Sequence, residues 1–498
     1  MMPHVALALF VKDEFSDIAG WIAWHVALGI KTFFIYDDHS TDGTWEILQA
    51  AAKCYDIRLR RIDPQKVPSF QERQRQAYFQ SIEEARNECD WIGFLDGDEY
   101  LYLKHFDSLP KFLTQFPHAD AVAFSWRIYG SSSRVVRPRR HIVDMFRQHS
   151  TKEFADNVHI KSFVRPKKMG KKWVDPHIFD IPITSYARPN GTFLTEKSPK
   201  QPVQWEDGYV MHFICRSMAH YIQRIQRRLN EDLFDSDSYW AYFNRNELTD
   251  NAPMRFLPKM AEKLKPIQNE ILKLAIQHLR DLPITPDPKL YPHKQNFEKL
   301  EIVKLISLHG TALYYAPNLG HALNCSEETA KENGFQLVYG LINPKTPQII
   351  TLALPENAKN TQLHLLFDER SSSEKLYRLI PTGSGYFNLQ HPASHRFFCM
   401  TPPEPPSGFG NAVADREKAH EWEKIILEPV SATHLHFKMP KLPFEITHKT
   451  SAYKILNWLQ TAKTQPSSED FLNVLYRLSP KVQQELSTYV PGLLWGFC

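Results

Sequence analysis

The first apolar run, residues 5–11, is uninterrupted and stops at Lys12-Asp13-Glu14. A continuous run of this length reads as a strand covered on both faces. Ser16 or Asp17 can then cap a helix whose inward positions are Ile18, Trp21, Ile22, His25 and Leu28, and Gly29 is a natural stop. The alternation continues with a strand at 31–36, a helix at 44–55, a strand at 57–62 and a long polar-faced helix at 69–89. A strand at 91–95, a helix at 107–116 and a strand at 121–128 follow. Strands alternating with helices predict an α/β domain with a mostly parallel, Rossmann-like sheet and right-handed crossovers.

The pattern then changes. Residues 130–172 carry two basic clusters, Arg134, Arg137, Arg139 and Arg140, and then Lys161, Arg165, Lys167, Lys168, Lys171 and Lys172. A basic run of this kind is ordinarily a solvated face. A loop broken by Pro and Gly covers 181–208, a short strand at 209–213 presents His212, and 217–231 reads as a basic helix with Arg224, Arg227 and Arg228. Residues 267–282 look helical between Pro-rich flanks. From 302 to about 430 short β-like runs recur between turns, which predicts an all-β unit, β-trefoil-like in its spacing, with a sandwich as the second choice. Helices at 451–460 and 469–490 close the chain. The expected domains are 1–250, a helical linker 251–300, an all-β domain 301–435 and a helical tail 436–498.

Three predicted strands end in acids: Glu14, Asp37 with Asp38, and Asp96 with Asp98 and Glu99. Parallel strands bring those ends to one edge, where open α/β sheets bind ligands. Asp96, Asp98 and Glu99 repel one another and call for a cation. Hard oxygen ligands suit Mg2+ or Mn2+, ions commonly shared with phosphate oxygens. An acidic turn after a strand is the plain alternative, but three such ends at one edge favour a site.

Composition narrows the partners. Apolar and charged fractions of 42% and 23% are ordinary for a globular chain. A net charge of +4 over 498 residues implies no nucleic-acid partner. Six cysteines without CxxC spacing fit a reducing compartment. Residues 1–10 lack the basic start of a secretion signal, so a cytoplasmic location is expected. The basic clusters leave peripheral membrane contact open.

The motifs in order are Lys12-Asp13-Glu14, Trp21-Ile22-Ala23-Trp24-His25-Val26-Ala27-Leu28-Gly29, Asp37-Asp38-His39-Ser40-Thr41-Asp42-Gly43-Thr44 and Asp96-Gly97-Asp98-Glu99. His212-Phe213-Ile214-Cys215-Arg216-Ser217 follows, with Arg224 and Arg227-Arg228 beyond it. Over residues 4–245 this set resembles the GT-A glycosyltransferases of family 2, in the branch whose outline family 92 shares. Departures are Gly20 where that pattern has an acid, Asp13 where it has Asn, and Arg228 or Leu229 where it has a final Gly.

The resemblance implies a GT-A domain and a metal-dependent, inverting hexosyltransferase of polysaccharide biosynthesis. The donor would be a nucleotide-sugar, UDP-linked first, and the acceptor a glycan or other hydroxyl. Asp38 or Asp37 would bind the base or ribose, with Glu14 supporting the pocket. Asp96 would face ribose and metal, Asp98 would ligate the metal, and His212 would complete the metal site. A satisfied core histidine is the plain alternative for His212. The acceptor needs a base, for which Asp175, His177, Glu206 and Asp207 are candidates and His177 and Asp207 the first choices. Trp422, Tyr386 and Phe387 could stack on sugar in the β domain or fill its core. The competing readings are a non-catalytic glycan-binding protein and a metal-dependent phosphohydrolase or nucleotidyltransferase. The last is disfavoured because the chain lacks a Lys-rich nucleotidyl signature and a DxDxT motif.

Overall fold

The computed structural model describes every residue except 1, 138–139, 229–235, 281–299, 357, 359–362, 367–374, 432–434, 438–441, 448 and 490–498. Arg139 and most of the expected linker's second half therefore lie outside the described residues, as do the side chains of Arg227 and Arg228. The chain forms two compact units that divide between Leu274 and Ala275.

The first unit begins β1 (Val5–Val11), α1 (Ile18–Ala27), β2 (Thr32–Asp37), α2 (Thr44–Ala52), β3 (Asp56–Arg61), α3 (Phe70–Ala85) and β4 (Trp91–Phe94), as the alternation predicts. Then come β5 (Glu99–Leu103), α4 (Leu109–Leu113), β6 (Ala121–Ile128), α5 (Ile142–Met145), β7 (Gln148–His149), β8 (Ile160–Val164), β9 (Tyr186–Ala187) and β10 (Gly208–His212). It continues with α6 (Met218–Arg228), α7 (Ser236–Phe243) and β11 (Leu248–Thr249) and ends within α8 (Leu257–Arg280), whose residues from Ala275 on belong to the second unit. The main sheet runs β3-β2-β1-β4-β8-β6-β10-β5, with β9 on β6. Strands β3, β2, β1 and β4 are parallel, β10 is parallel to β6, and β8 and β5 run antiparallel to their neighbours.

Alternate residues of β1 explain why its run is apolar throughout. Val5, Leu7 and Leu9 pack with α1, α2 and α8, while Ala6, Ala8 and Phe10 pack with Tyr78 and Ile82 of α3. Gly29 takes φ +95°, the left-handed conformation that ends α1. The side chain of Ser69 caps α3 by accepting from the Glu72 amide.

Two elements depart from the sequence reading. β5 continues straight out of the acidic turn, and β8 lies inside the segment taken as a basic surface. β8 fits between β4 and β6 because its own side chains suit the gap: Phe163 stands where a Cβ on Gly93 would be only 2.2 Å away. The expected start of α8 also moves. The helix begins at Leu257 and carries Pro266 inside it, so the Pro-rich flank is helix rather than linker.

In the second unit, eleven strands among the described residues run from Glu301–Ser307 to Ile425–Pro429, all antiparallel. The last pairs with the first and with Tyr386–Gln390, and the first also pairs with Ala312–Ala316, which closes the sheet into a barrel. Val303, Leu305, Leu313, Tyr315, Phe398 and Met400 are in its core. The pairing of the described strands establishes a closed all-β unit; it does not by itself establish a trefoil. Of the expected strand at 362–367, both ends lie outside the described residues. Helices Ala452–Thr461, Ser468–Leu475 and Pro480–Tyr489 follow. The expected single helix at 469–490 is two, and the second opens on Pro480, a residue suited to a helix's first turn. No helix among the described residues is long and apolar enough to cross a membrane.

Candidate active site

The acidic turn between β4 and β5 is positioned by α1. Trp21 Nε1 donates to the carbonyls of Asp96 (3.0 Å) and Glu99 (2.8 Å), and Trp24 Nε1 donates to that of Leu101 (2.8 Å). Buried His25 donates from Nδ1 to the Trp21 carbonyl and accepts from the Leu101 amide at Nε2. Burial pushes its pKa down to about 3, which keeps the ring neutral for both roles. The Trp-Ile-Ala-Trp-His motif is therefore the clamp on the turn. Gly20 has a local reason too, since a Cβ there would meet His141 Cδ2 at 2.7 Å.

The Asp37–Thr44 motif is stitched to the end of β1. Ser40 Oγ accepts from the Asp13 amide (2.8 Å), Thr44 Oγ1 from the Glu14 amide (2.7 Å) and Asp42 Oδ2 from the Phe15 amide (3.1 Å). Asp37 and Asp38 are both fully buried and both held by arginine. Arg61 Nε lies 3.1 Å from Asp37 Oδ2, and Arg73 grips both oxygens of Asp38, at 2.7 and 2.8 Å. Burial raises the Asp37 pKa, against the hydrogen bonds from Ser40. The two carboxylates that the family likeness assigned to the nucleotide are thus occupied by the protein itself.

The second acidic end is open on one side. Asp98 is buried, with Oδ2 at 2.9 Å from Arg224 Nη1 and Oδ1 at 3.6 Å from His212 Nε2. Burial opposes its ionisation, yet Arg224 and His212 outweigh burial and hold the pKa well below the usual carboxylate range. Asp96 points elsewhere. Its side chain is 34% exposed and Oδ2 lies 2.7 Å from Lys161 Nζ. The same Nζ lies 3.3 Å from Glu99 Oε2. His212 ends β10 opposite Glu99 and Ile128, and its ring packs on Trp126 with centroids 4.2 Å apart. His212 Nδ1 has no hydrogen-bond partner.

Behind Asp98 lies a buried charge network. Arg216 Nη1 reaches Glu14 Oε2 (2.6 Å) and Asp17 Oδ2 (2.9 Å), and Arg137 reaches Asp17 Oδ2 (2.6 Å). Burial raises the Glu14 pKa despite Arg216. Asp17 is buried as well, but Arg137 and Arg216 hold it well below the ordinary range. Arg216 takes φ +53°, a left-handed conformation costly for a residue with a side chain and here held by these two ion pairs.

The expected bases separate. His177 donates from Nδ1 to the Ile160 carbonyl (2.9 Å), and its ring packs on Trp126 at 5.1 Å. Burial and then Lys161 push its pKa down to about 3, so it is a neutral hydrogen-bonding group and a weak base. Asp175 shapes this loop by accepting from the His177 amide. Asp207 stands before the first residue of β10 and His212 is the last. At about 3.3 Å per residue the two are roughly 16 Å apart, at opposite edges of the sheet. Asp207 there accepts from Gln204, and exposed Glu206 pairs with Lys152. Neither reaches the acidic turn.

The residues that sequence reasoning missed are Lys161, Asp17, Arg137, Arg216 and Trp126. One signal was available: Ile160-Lys161-Ser162-Phe163-Val164 reads as a short β-type run that holds its lysine inside.

Asp98 and His212 fit a divalent ion, because a carboxylate oxygen and an imidazole nitrogen 3.6 Å apart can share one. Asp96, turned to Lys161, does not join them. Among the described residues no three His, Cys, Asp or Glu side chains are grouped to hold a metal.

A Rossmann-like sheet with carboxylates, a histidine and arginines at one edge defines the class: an α/β domain of the open-sheet kind, in which ligand sites lie at the strands' carboxyl ends. Within that class, residues 5–247 match the profile of glycosyltransferase family 92, the likeness carried by the motifs. A family 92 protein of Oryza sativa subsp. japonica is 25% identical over 175 residues, 34% of this chain and 28% of that protein. One from Ricinus communis is 32% identical over 91 residues, 18% of this chain and 15% of that protein. The matched segments thus span less than a third of these curated relatives. The solved structure of S. aureus TarS 1-349 is 13% identical, covering 55% of this chain and 82% of that chain, with a TM-score of 0.26. That likeness is too loose to carry a structural argument.

Proposed function

We propose that the first unit is a GT-A glycosyltransferase that moves a sugar from a nucleotide-sugar donor, UDP-linked, to a hydroxyl of a glycan acceptor, with inversion. The family match supports transfer. The observation that carries the site is the Asp98 carboxylate, held ionised between His212 and Arg224 at the carboxyl end of the sheet. A Mg2+ or Mn2+ ion on Asp98 and His212 would offset charge that develops on the departing diphosphate. Arg224, 24% exposed and 2.9 Å from Asp98 Oδ2, can take up part of the same charge. Glu14 and Asp17 fix Arg216, and α1 fixes the turn, so Asp98 does not have to move as charge develops.

The test is calorimetric binding of UDP with and without Mn2+, on the whole chain and on Asp98→Ala. Metal-dependent binding lost in the variant supports the donor site. Absence of binding to UDP and other nucleotides rejects transfer and leaves the glycan-binding alternative.

A further inference from the structure

One cation is already built into the acidic edge. Lys161 lies on β8 between β4 and β6 with its side chain 1% exposed. Its Nζ is 2.7 Å from Asp96 Oδ2 and 3.3 Å from Glu99 Oε2. A buried ammonium is costly unless paired, so this lysine stays with its carboxylates. Asp98 takes no part, its two oxygens facing Arg224 and His212. The second oxygen of Glu99, Oε1, is buried with no hydrogen-bond partner among the described residues. The spacing of Asp96 and Asp98 suggests a shared ion, but the sheet supplies a lysine to one of them.

We propose that Lys161 is the resident counter-ion of Asp96, with Glu99 Oε2 beside it, and keeps Asp96 out of a divalent ion's coordination. Asp98 and His212 are then the protein's whole share of that ion. The inference deepens the glycosyltransferase reading and rests on it only for the choice of nucleotide.

The experiment uses the full chain, with free Mn2+ counted by electron paramagnetic resonance and UDP binding followed in parallel by calorimetry. Lys161→Met frees Asp96, a hard oxygen donor beside Asp98, so Mn2+ affinity should rise about tenfold or more, and adding Asp96→Asn should abolish the gain. In the otherwise unchanged chain, Asp96→Asn should leave Mn2+ affinity within about threefold, because Asp96 is no ligand. No gain in Lys161→Met overturns the proposal, and so does a loss of about tenfold in Asp96→Asn. Should Lys161→Met not fold, Lys161→Gln and the Asp96→Asn arm decide in the same way. UDP that fails to bind while Lys161→Met gains Mn2+ rejects the donor reading and leaves the lysine's role standing.

Discussion

Two acidic strand ends of one sheet look alike in sequence and differ in use. Asp37-Asp38 after β2 and Asp96-Gly97-Asp98 after β4 both follow short apolar strands and both sit at the same edge. At the first, Arg61 and Arg73 occupy the carboxylates and four backbone amides tie the loop to its neighbours. That end is structural, a buried brace. At the second, Asp98 is held by one arginine contact and a histidine 3.6 Å away, and Asp96 is one-third exposed. A carboxylate gripped at both oxygens by a buried guanidinium has little left to offer a ligand. Asp98, with Arg224 on one oxygen and His212 3.6 Å from the other, is held more loosely.

The comparison can be broken at either end. The largest effect is expected for Asp98→Ala. Turnover with a UDP-sugar should fall by about 10²–10³ or more, as when a charge-stabilising group is removed, and the fold should lose some stability too because the buried carboxylate is paired with Arg224 and His212. Kinetics and urea melts on the same protein check both halves, and an unaltered rate would place the chemistry elsewhere. Next, Arg73→Ala strands Asp38 as a buried unpaired charge and should cost about 3–5 kcal/mol in urea unfolding. If it instead lowers nucleotide affinity in a protein of unchanged stability, the first end is a ligand site and the contrast collapses.

A smaller effect depends on pH. Burial pushes the Glu99 pKa up to about 8, with Asp96 and Asp98 adding to the rise and Lys161 opposing it. An unfolded glutamate ionises near 4.5. The folded protein keeps this proton through the interval while the unfolded chain has released it. The group's stabilisation is therefore full below pH 4.5 and is lost as pH rises towards 8. Glu99→Gln should flatten that part of the stability profile, read as urea midpoints at several pH values, and an unchanged slope would refute the assignment. The smallest effect is expected for Asp207→Ala, at the far edge of the sheet, which should change turnover by less than about twofold.

Much of the first unit was legible because a buried strand and an amphipathic helix write their periods into the chain. β1 to β4 with α1 to α3 fall where the apolar positions put them. β5 and β8 were harder. β5 opens on Glu99, whose charge reads as turn, and β8 is five residues long inside a lysine-rich stretch. Of the expected site, the structure brings Asp98 and His212 together, keeps Asp96 and His177 nearby and sends Asp207 away. The motif Trp21-Ile22-Ala23-Trp24-His25 was visible as a pattern, but its work as a clamp on backbone carbonyls was not.

The sequence by itself determined which residues are inside, the order of the elements and the three acidic strand ends, because burial periodicity is a local property. Only the tertiary structure decided what each acid meets. Asp38 lies 35 positions from Arg73, Asp96 lies 65 from Lys161 and Asp98 lies 126 from Arg224. A charge's partner is set by strand order and register across such distances, and no local pattern encodes them. The same carboxylate, in the same kind of turn, is gripped tightly or held loosely according to which cation the neighbouring strand or helix delivers.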